Sequence, residues 1–128
     1  MAYASAEKIG QDISLILRPP RRIKVSSAVH KYMRVPKGAG NSVPWDPNVA
    51  PYVVEPMDML ASREYDAVIF VGPARTGKTI GLIDGWAVYS IVCDPSDMLI
   101  VQMTEEKARE HSKKRLDRTF RSSPKVAK

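Results

Sequence analysis

Eight consecutive residues, Gly72, Pro73, Ala74, Arg75, Thr76, Gly77, Lys78 and Thr79, constrain this chain more than any other stretch. They fit the pattern G-x-x-x-x-G-K-[S/T], a phosphate-binding P-loop. The apolar run Ala67–Val71 precedes them and reads as a buried strand, and Ile80–Ser90 follows and reads as a helix. Strand, loop and helix in that order is the context the pattern needs.

The residue types follow from the chemistry of the ligand. A nucleotide tail carries several negative charges on closely spaced oxygens. A loop wrapped around it must turn backbone N–H groups inward, and Gly72 and Gly77 permit that where a Cβ obstructs. The next helix aims its N-terminal dipole and free N–H groups at the same phosphates. Lys78 is expected to reach the β- and γ-phosphates as a point charge, and the Thr79 hydroxyl to ligate Mg²⁺. A glycine-rich β–α turn without a ligand is the competing reading.

The 128 residues have room for about one small domain. Apolar content of 44% and charged content of 27% are those of an ordinary globular protein, so a disordered or fibrous class is not indicated. One cysteine, Cys93, excludes an internal disulfide and a Cys-based zinc site, and it fits a reducing compartment. No apolar run approaches the ~20 residues of a membrane span, so no membrane partner is expected. The patch Ile13–Leu17 follows a single basic residue, Lys8, and lacks a signal-peptide layout.

The net charge of +6 is unevenly placed. Residues 1–40 hold eight Lys/Arg against two acids, residues 41–100 three against eight, and residues 101–128 nine against four. Two basic ends suit a polyanion such as DNA. A solvated basic surface with a disordered tail is the plainer alternative.

Along the chain, Ile9, Ile13, Ile16 and Leu17 give one face of a short amphipathic helix, either docking a partner helix or lying on the domain. Arg18-Pro-Pro-Arg-Arg22 reads as an extended basic linker. Val25–Met33 reads as a second helix capped by Ser26 or Ser27, with His30 a surface or packing residue. Residues 34–51 contain Pro36, Gly38, Gly40, Pro44, Pro47 and Pro51 and read as a loop. Trp45 and Tyr52 are the aromatics available to fasten that loop to a core or to stack on a nucleobase.

A helix is expected from Pro56 to Ala61. Ala67–Val71 shows no alternation, as in a parallel strand covered on both faces. Gly81 and Gly85 lie four apart on the following helix, where close approach to the sheet would offset their helix cost. Met98–Val101 reads as a second buried strand. Thr104 is the expected cap of a third helix packed through Ala108, Ser112, Leu116 and Phe120. The fold class is therefore α/β: a partial P-loop NTPase fold, β–α–β–α with parallel strands, preceded by a helical and loop-like N-terminal arm. The arm spans residues 1–24 and the incomplete ATPase domain residues 25–128.

From about Val25 onward the chain resembles the start of the ATPase domain of a tailed-phage terminase large subunit, in particular the lambda-like branch. The resemblance is carried by Pro51-Tyr52, Glu55-Pro56-Met57-Asp58, the loop Ala74–Thr79, and Asp94-Pro95 followed by Met98–Gln102. Glu106–Arg109, Ser112, Arg115-Leu116 and Arg121–Pro124 complete it. It implies an ATP-driven motor that pushes double-stranded DNA into a procapsid, and an endonuclease that cuts concatemeric DNA. It implies ATP and Mg²⁺ as ligands, with Lys78 and Thr79 holding phosphates and metal. Arg75 stands where terminases often place an arginine that senses or stabilises the γ-phosphate; an exposed loop residue is the alternative. The implied partners are DNA, the small terminase subunit on residues 1–24, the portal and procapsid, and further copies in a homo-oligomer. The implied location is the bacterial host cytoplasm.

A working P-loop ATPase also needs an acidic pair at a strand end, for Mg²⁺ and for water. Ile91–Asp94 has the outline, but its position suits a helix end, and Met98–Val101 ends in Gln102. Two strands do not make a self-sufficient sheet. The chain is thus expected to be the N-terminal piece of a longer protein, without ATP turnover or nuclease activity of its own. Two alternatives compete: a small P-loop kinase acting on a metabolite, and a truncated non-catalytic remnant that binds DNA or a terminase partner.

Overall fold

A computed structural model describes residues 5–17, 19, 21–38 and 40–127 of the chain. Helix α1 spans Ala6–Ile16, and the Ser5 hydroxyl caps it by accepting from the Lys8 N–H at 3.3 Å. Its expected apolar residues Ile9, Ile13 and Ile16, with Leu17 just beyond, are exposed, so the helix does not bury that face on the domain. Of the basic linker that follows, Arg18 and Pro20 lie outside the described residues. Arg21 ties the linker down: its N–H donates to Cys93 O (2.9 Å) and its guanidinium to the Tyr32 hydroxyl (3.0 Å).

Helix α2 (Val25–Tyr32) forms where its periodicity places it. Its cap differs from the expected Ser26 or Ser27. The first residue before it is Lys24, and the Ser26 N–H donates to Oδ1 of Asp58 from a later helix (2.9 Å). A carboxylate at a helix N-terminus satisfies a free donor and complements the dipole, so a long-range acid replaces a local hydroxyl.

The stretch expected to be a loop contains an antiparallel hairpin, β1 (Arg34–Lys37) and β2 (Asn41–Pro44), with Val35 opposite Val43 and Pro36 opposite Ser42. The turn passes through Gly38 (φ 69°) and Gly40 (φ 81°), left-handed values that favour glycine. With two strands, each has a free edge, and that is where prolines such as Pro36 and Pro44 are tolerated. Trp45 then turns inward as expected, its N–H donating to Met33 O (3.2 Å) and its carbonyl bonded to His30 Nδ1 (2.8 Å).

Helix α3 runs Pro51–Leu60, five residues earlier than expected at its start. Pro51 takes the first turn, where the missing N–H is harmless, and Pro56 sits inside the helix. The helix after the glycine-rich loop opens with a wide π-turn over Thr79–Asp84, in which the Gly85 N–H reaches Ile80 O, and continues as α4 (Gly85–Val92). The last helix has the same construction: α5 (Glu105–Glu110), a π-wound stretch His111–Leu116, and α6 (Asp117–Ser122). Thr104 caps it by accepting from the Lys107 N–H (3.2 Å), with Glu105 and Glu106 in the first turn, as expected. Of the expected i+4 row, Phe120 packs against the core, Ala108 and Leu116 are half-buried and Ser112 is exposed; the buried residues are His111, Thr119 and Ser123, which the π-winding turns inward.

The core lies where α2, α3 and α4 meet. Val25, Val29 and Met33 interlock there with Val53, Met57 and Val88, all buried. Gly81 and Gly85 serve this helical contact and not the expected sheet. A Cβ on Gly81 would stand 2.5 Å from Val53 Cγ1, and one on Gly85 3.2 Å from Val29 Cγ2. Gly81→Ala gains about 1 kcal/mol of helix propensity but overpacks a stiff, buried valine at about 1–3 kcal/mol. A net loss of stability is expected, read as a lower urea midpoint; a midpoint at or above wild type contradicts this packing.

The two expected parallel strands are corrected. Ala67–Val71 and Met98–Val101 form no ladder, and the only strand pairing among the described residues is the hairpin. Val71 is 91% exposed and Leu99 87% exposed, so neither segment is covered on both faces. Strand identity is a property of a pair, and a single apolar segment with no neighbour has nowhere to send its N–H and C=O groups. The architecture seen is mixed: helices around one core and one two-stranded antiparallel sheet.

Candidate nucleotide-binding site

The loop Gly72–Thr79 joins the unpaired segment to the π-turn. Two of its residues have left-handed backbone, Arg75 (φ 63°) and Gly77 (φ 74°). For Gly77 that is unstrained; for Arg75 it costs about 1 kcal/mol or more and persists only where the surroundings fix it. The loop closes on itself. The Thr76 hydroxyl donates to Pro73 O (3.0 Å), and the Lys78 ammonium donates to Gly72 O (2.6 Å) and Pro73 O (3.1 Å). The Gly81 N–H donates to Gly77 O (2.8 Å), so the helix ladder starts inside the loop. Gly72, Thr76, Gly77, Lys78 and Thr79 are half-buried, whereas Pro73, Ala74 and Arg75 are exposed. The sequence-predicted residues are therefore brought together, with Lys78 folded over the loop and the Arg75 guanidinium turned to solvent.

Beside the loop lies an apolar cavity of about 420 Å³, walled by Val43, Trp45, Val49, Val53, Gly77 and Ile80. Most of its wall comes from the hairpin and the turn Pro47–Val49, within the segment 34–51 read from sequence as a loop; Val53 of α3, Gly77 and Ile80 complete it. Trp45 faces this cavity while remaining 8% exposed. Gly77 belongs to both the loop and the cavity wall.

One cluster was not legible as a site. Asp84 ends the π-turn after the loop, and its Oδ1 lies 2.9 Å from His111 Nε2 in the last helix. Both residues are buried, at 2% and 7% exposure. Burial raises the Asp84 carboxyl above its ordinary value of 3.8, opposed by His111 and by the Arg115 guanidinium. Only the presence of an acid inside an otherwise apolar helix signals it in the sequence. The pair locks the helix that follows the loop to the helix that carries Lys113, Lys114, Arg115 and Arg118.

Among the described residues no group of three or more His, Cys, Asp or Glu is placed to hold a metal ion. The donor set at the loop suits Mg²⁺ in one manner: the Thr79 hydroxyl, with phosphate oxygens and waters supplying the rest. Asp94, the one outline of an acidic motif in the sequence, follows the C-terminal end of α4. Its N–H bonds Tyr89 O (3.3 Å), a helix end as expected and not a strand end.

The family described as phage terminase large subunit gpA, ATPase domain, matches the chain over residues 39–128. The chain belongs to this terminase family. The matched residues contain the hairpin's second strand, most of the cavity wall, the loop and everything after it; Val35 and Lys37 of the cavity wall lie before the match. A terminase ATPase domain is a nucleotide-binding domain. No curated protein and no solved structure shows a significant match to the chain. Among the described residues no helix is long and apolar enough to cross a membrane.

Proposed function

We propose that the chain is the nucleotide-binding part of a terminase motor that packages double-stranded DNA, holding Mg·ATP with residues 72–79. The observation that carries this reading is the sharing of Gly77 between a polar, glycine-bearing loop and an apolar cavity. A nucleotide has that division: a charged tail and a flat apolar base. A cavity of about 420 Å³ lies in the range of small-ligand sites. Bound there, the base packs beside Trp45 and the phosphates meet the loop N–H groups, with Lys78 exchanging its two loop carbonyls for phosphate oxygens. Thr79 is the proposed Mg²⁺ ligand, and the ion supplies neutralisation of phosphate charge. Arg75, in its left-handed position, is the proposed γ-phosphate contact.

The exposed basic residues of the last helix, Lys107, Arg109, Lys113, Lys114, Arg115 and Arg118, are the proposed contacts to the DNA backbone. The exposed apolar stripe of α1 is the proposed seat of the small terminase subunit. Portal and procapsid docking, a ring of identical subunits and work in the host cytoplasm belong to the same reading. Turnover needs an acidic partner for Mg²⁺ and water, and among the described residues no acid on a strand end fills that place, so the isolated chain is proposed to bind ATP without hydrolysing it.

The reading is tested through Trp45. In a Trp86→Phe background the remaining tryptophan lies in the cavity wall. Saturable quenching on titration with Mg·ATP is expected. A flat titration up to millimolar nucleotide contradicts the placement of the base.

A further inference from the structure

Tyr52 is half-way out of the fold, yet its hydroxyl is not free. It donates to the carbonyl of Thr76, inside the glycine-rich loop, at 2.9 Å. The tether crosses from the second residue of α3 to the turn that precedes Lys78. Its α3 end is firmly placed. Pro51 fixes the chain before it, and the next residue, Val53, is buried against Gly81 of the helix that the loop enters. The loop end is set as well, since the Thr76 hydroxyl donates to Pro73 O. The Thr76–Gly77 peptide is thus held from two sides, at its carbonyl and at its preceding side chain.

The consequence follows from peptide geometry. In a planar trans unit the C=O of one residue and the N–H of the next point in opposite directions. Anchoring Thr76 O on Tyr52 turns the Gly77 N–H to the side away from α3. The positive φ of Gly77 then carries the chain into the helix with its following N–H groups free. A peptide without that anchor can rotate, and one donor of an anion-binding loop is lost when it does.

We propose that Tyr52 is a positioning residue for the phosphate loop: its hydroxyl sets the orientation of the Thr76–Gly77 peptide and thereby the affinity for polyphosphate. This rests on the reading that residues 72–79 bind the nucleotide tail. It assigns Tyr52 to the phosphates through the loop backbone, distinct from stacking on a base and from core anchoring.

Tyr52→Phe removes the hydroxyl and keeps the ring. Calorimetric titrations with Mg·ATP and with inorganic tripolyphosphate, on wild type and variant, separate the possibilities. Both probes are expected to bind wild type, and both are expected to weaken by a common factor of about three- to tenfold in the variant, as for one lost hydrogen bond. The ligand-free urea midpoint is expected to stay close to wild type, because the hydroxyl is on a half-exposed side chain. Weakening of ATP alone, with tripolyphosphate unchanged, places the hydroxyl on the nucleoside and overturns the proposal. Unchanged affinity for both probes overturns it too, while leaving the nucleotide reading intact. Wild type that binds neither probe defeats the nucleotide reading and the inference with it.

Discussion

His111→Ala is expected to destabilise the fold by about 1–3 kcal/mol at neutral pH, the usual cost of leaving a buried polar group without its hydrogen-bond partner. Asp84 is 2% exposed and has its Oδ1 on His111 Nε2. Without the imidazole the carboxylate stays buried with only the more distant attraction of Arg115. A loss of that size is a large part of the stability of a small domain. The sign of the pH dependence follows from Asp84. Its carboxyl is raised above 3.8 by burial, so between that value and its folded value the native state holds a proton that the unfolded chain has released. The contribution of Asp84 to stability therefore falls as pH rises through that window. Removing His111 removes an attraction that lowers the folded value, so the window extends upward and the deficit of the variant grows with pH. Asp84→Asn/His111→Ala buries no charge and is expected to recover most of the loss in urea unfolding at pH 7. A double variant no more stable than His111→Ala alone assigns the loss to an empty cavity and contradicts the electrostatic account.

What the sequence made legible was local. The helix after the loop, the Thr104 cap with its two glutamates and the helix from Val25 depend on spacing and neighbours within a few residues and form there, although the Val25 helix takes its N-terminal acceptor from Asp58. The hairpin was hidden by Pro36 and Pro44, which demote a run to edge strand or loop, while Gly38 and Gly40 were the surviving turn signal. The segments Ala67–Val71 and Met98–Val101 have strand composition, but composition cannot supply the neighbour that a ladder requires. Gly81 and Gly85 were legible as close-approach glycines; the partner, helix in place of sheet, was not. The eight loop residues were singled out by their pattern, and the structure brings them together in one loop. The apolar cavity was not legible, because most of its wall comes from the hairpin and the turn before α3. The Asp84–His111 pair spans 27 positions between two polar residues, and no periodicity connects them.

Lys78→Ala is the second large effect, and it bears on the central claim. The ammonium lies 2.6 Å and 3.1 Å from two loop carbonyls, so in the folded chain it already stands over the loop. Its charge is the only ammonium within residues 72–79, and the triphosphate proposed to bind there is strongly anionic. Charge-assisted hydrogen bonds contribute about 1.5–3 kcal/mol each, so losing contacts to two phosphates weakens Mg·ATP by about two to four orders of magnitude. The variant retains Gly72, Gly77 and the helix start, and its fold is expected to survive. Calorimetric titration of Mg·ATP into wild type and Lys78→Ala tests the account most directly. Micromolar to sub-millimolar binding that vanishes in the folded variant is the predicted result. Equal heats and affinities in the two proteins, or no binding by a folded wild type, would contradict it.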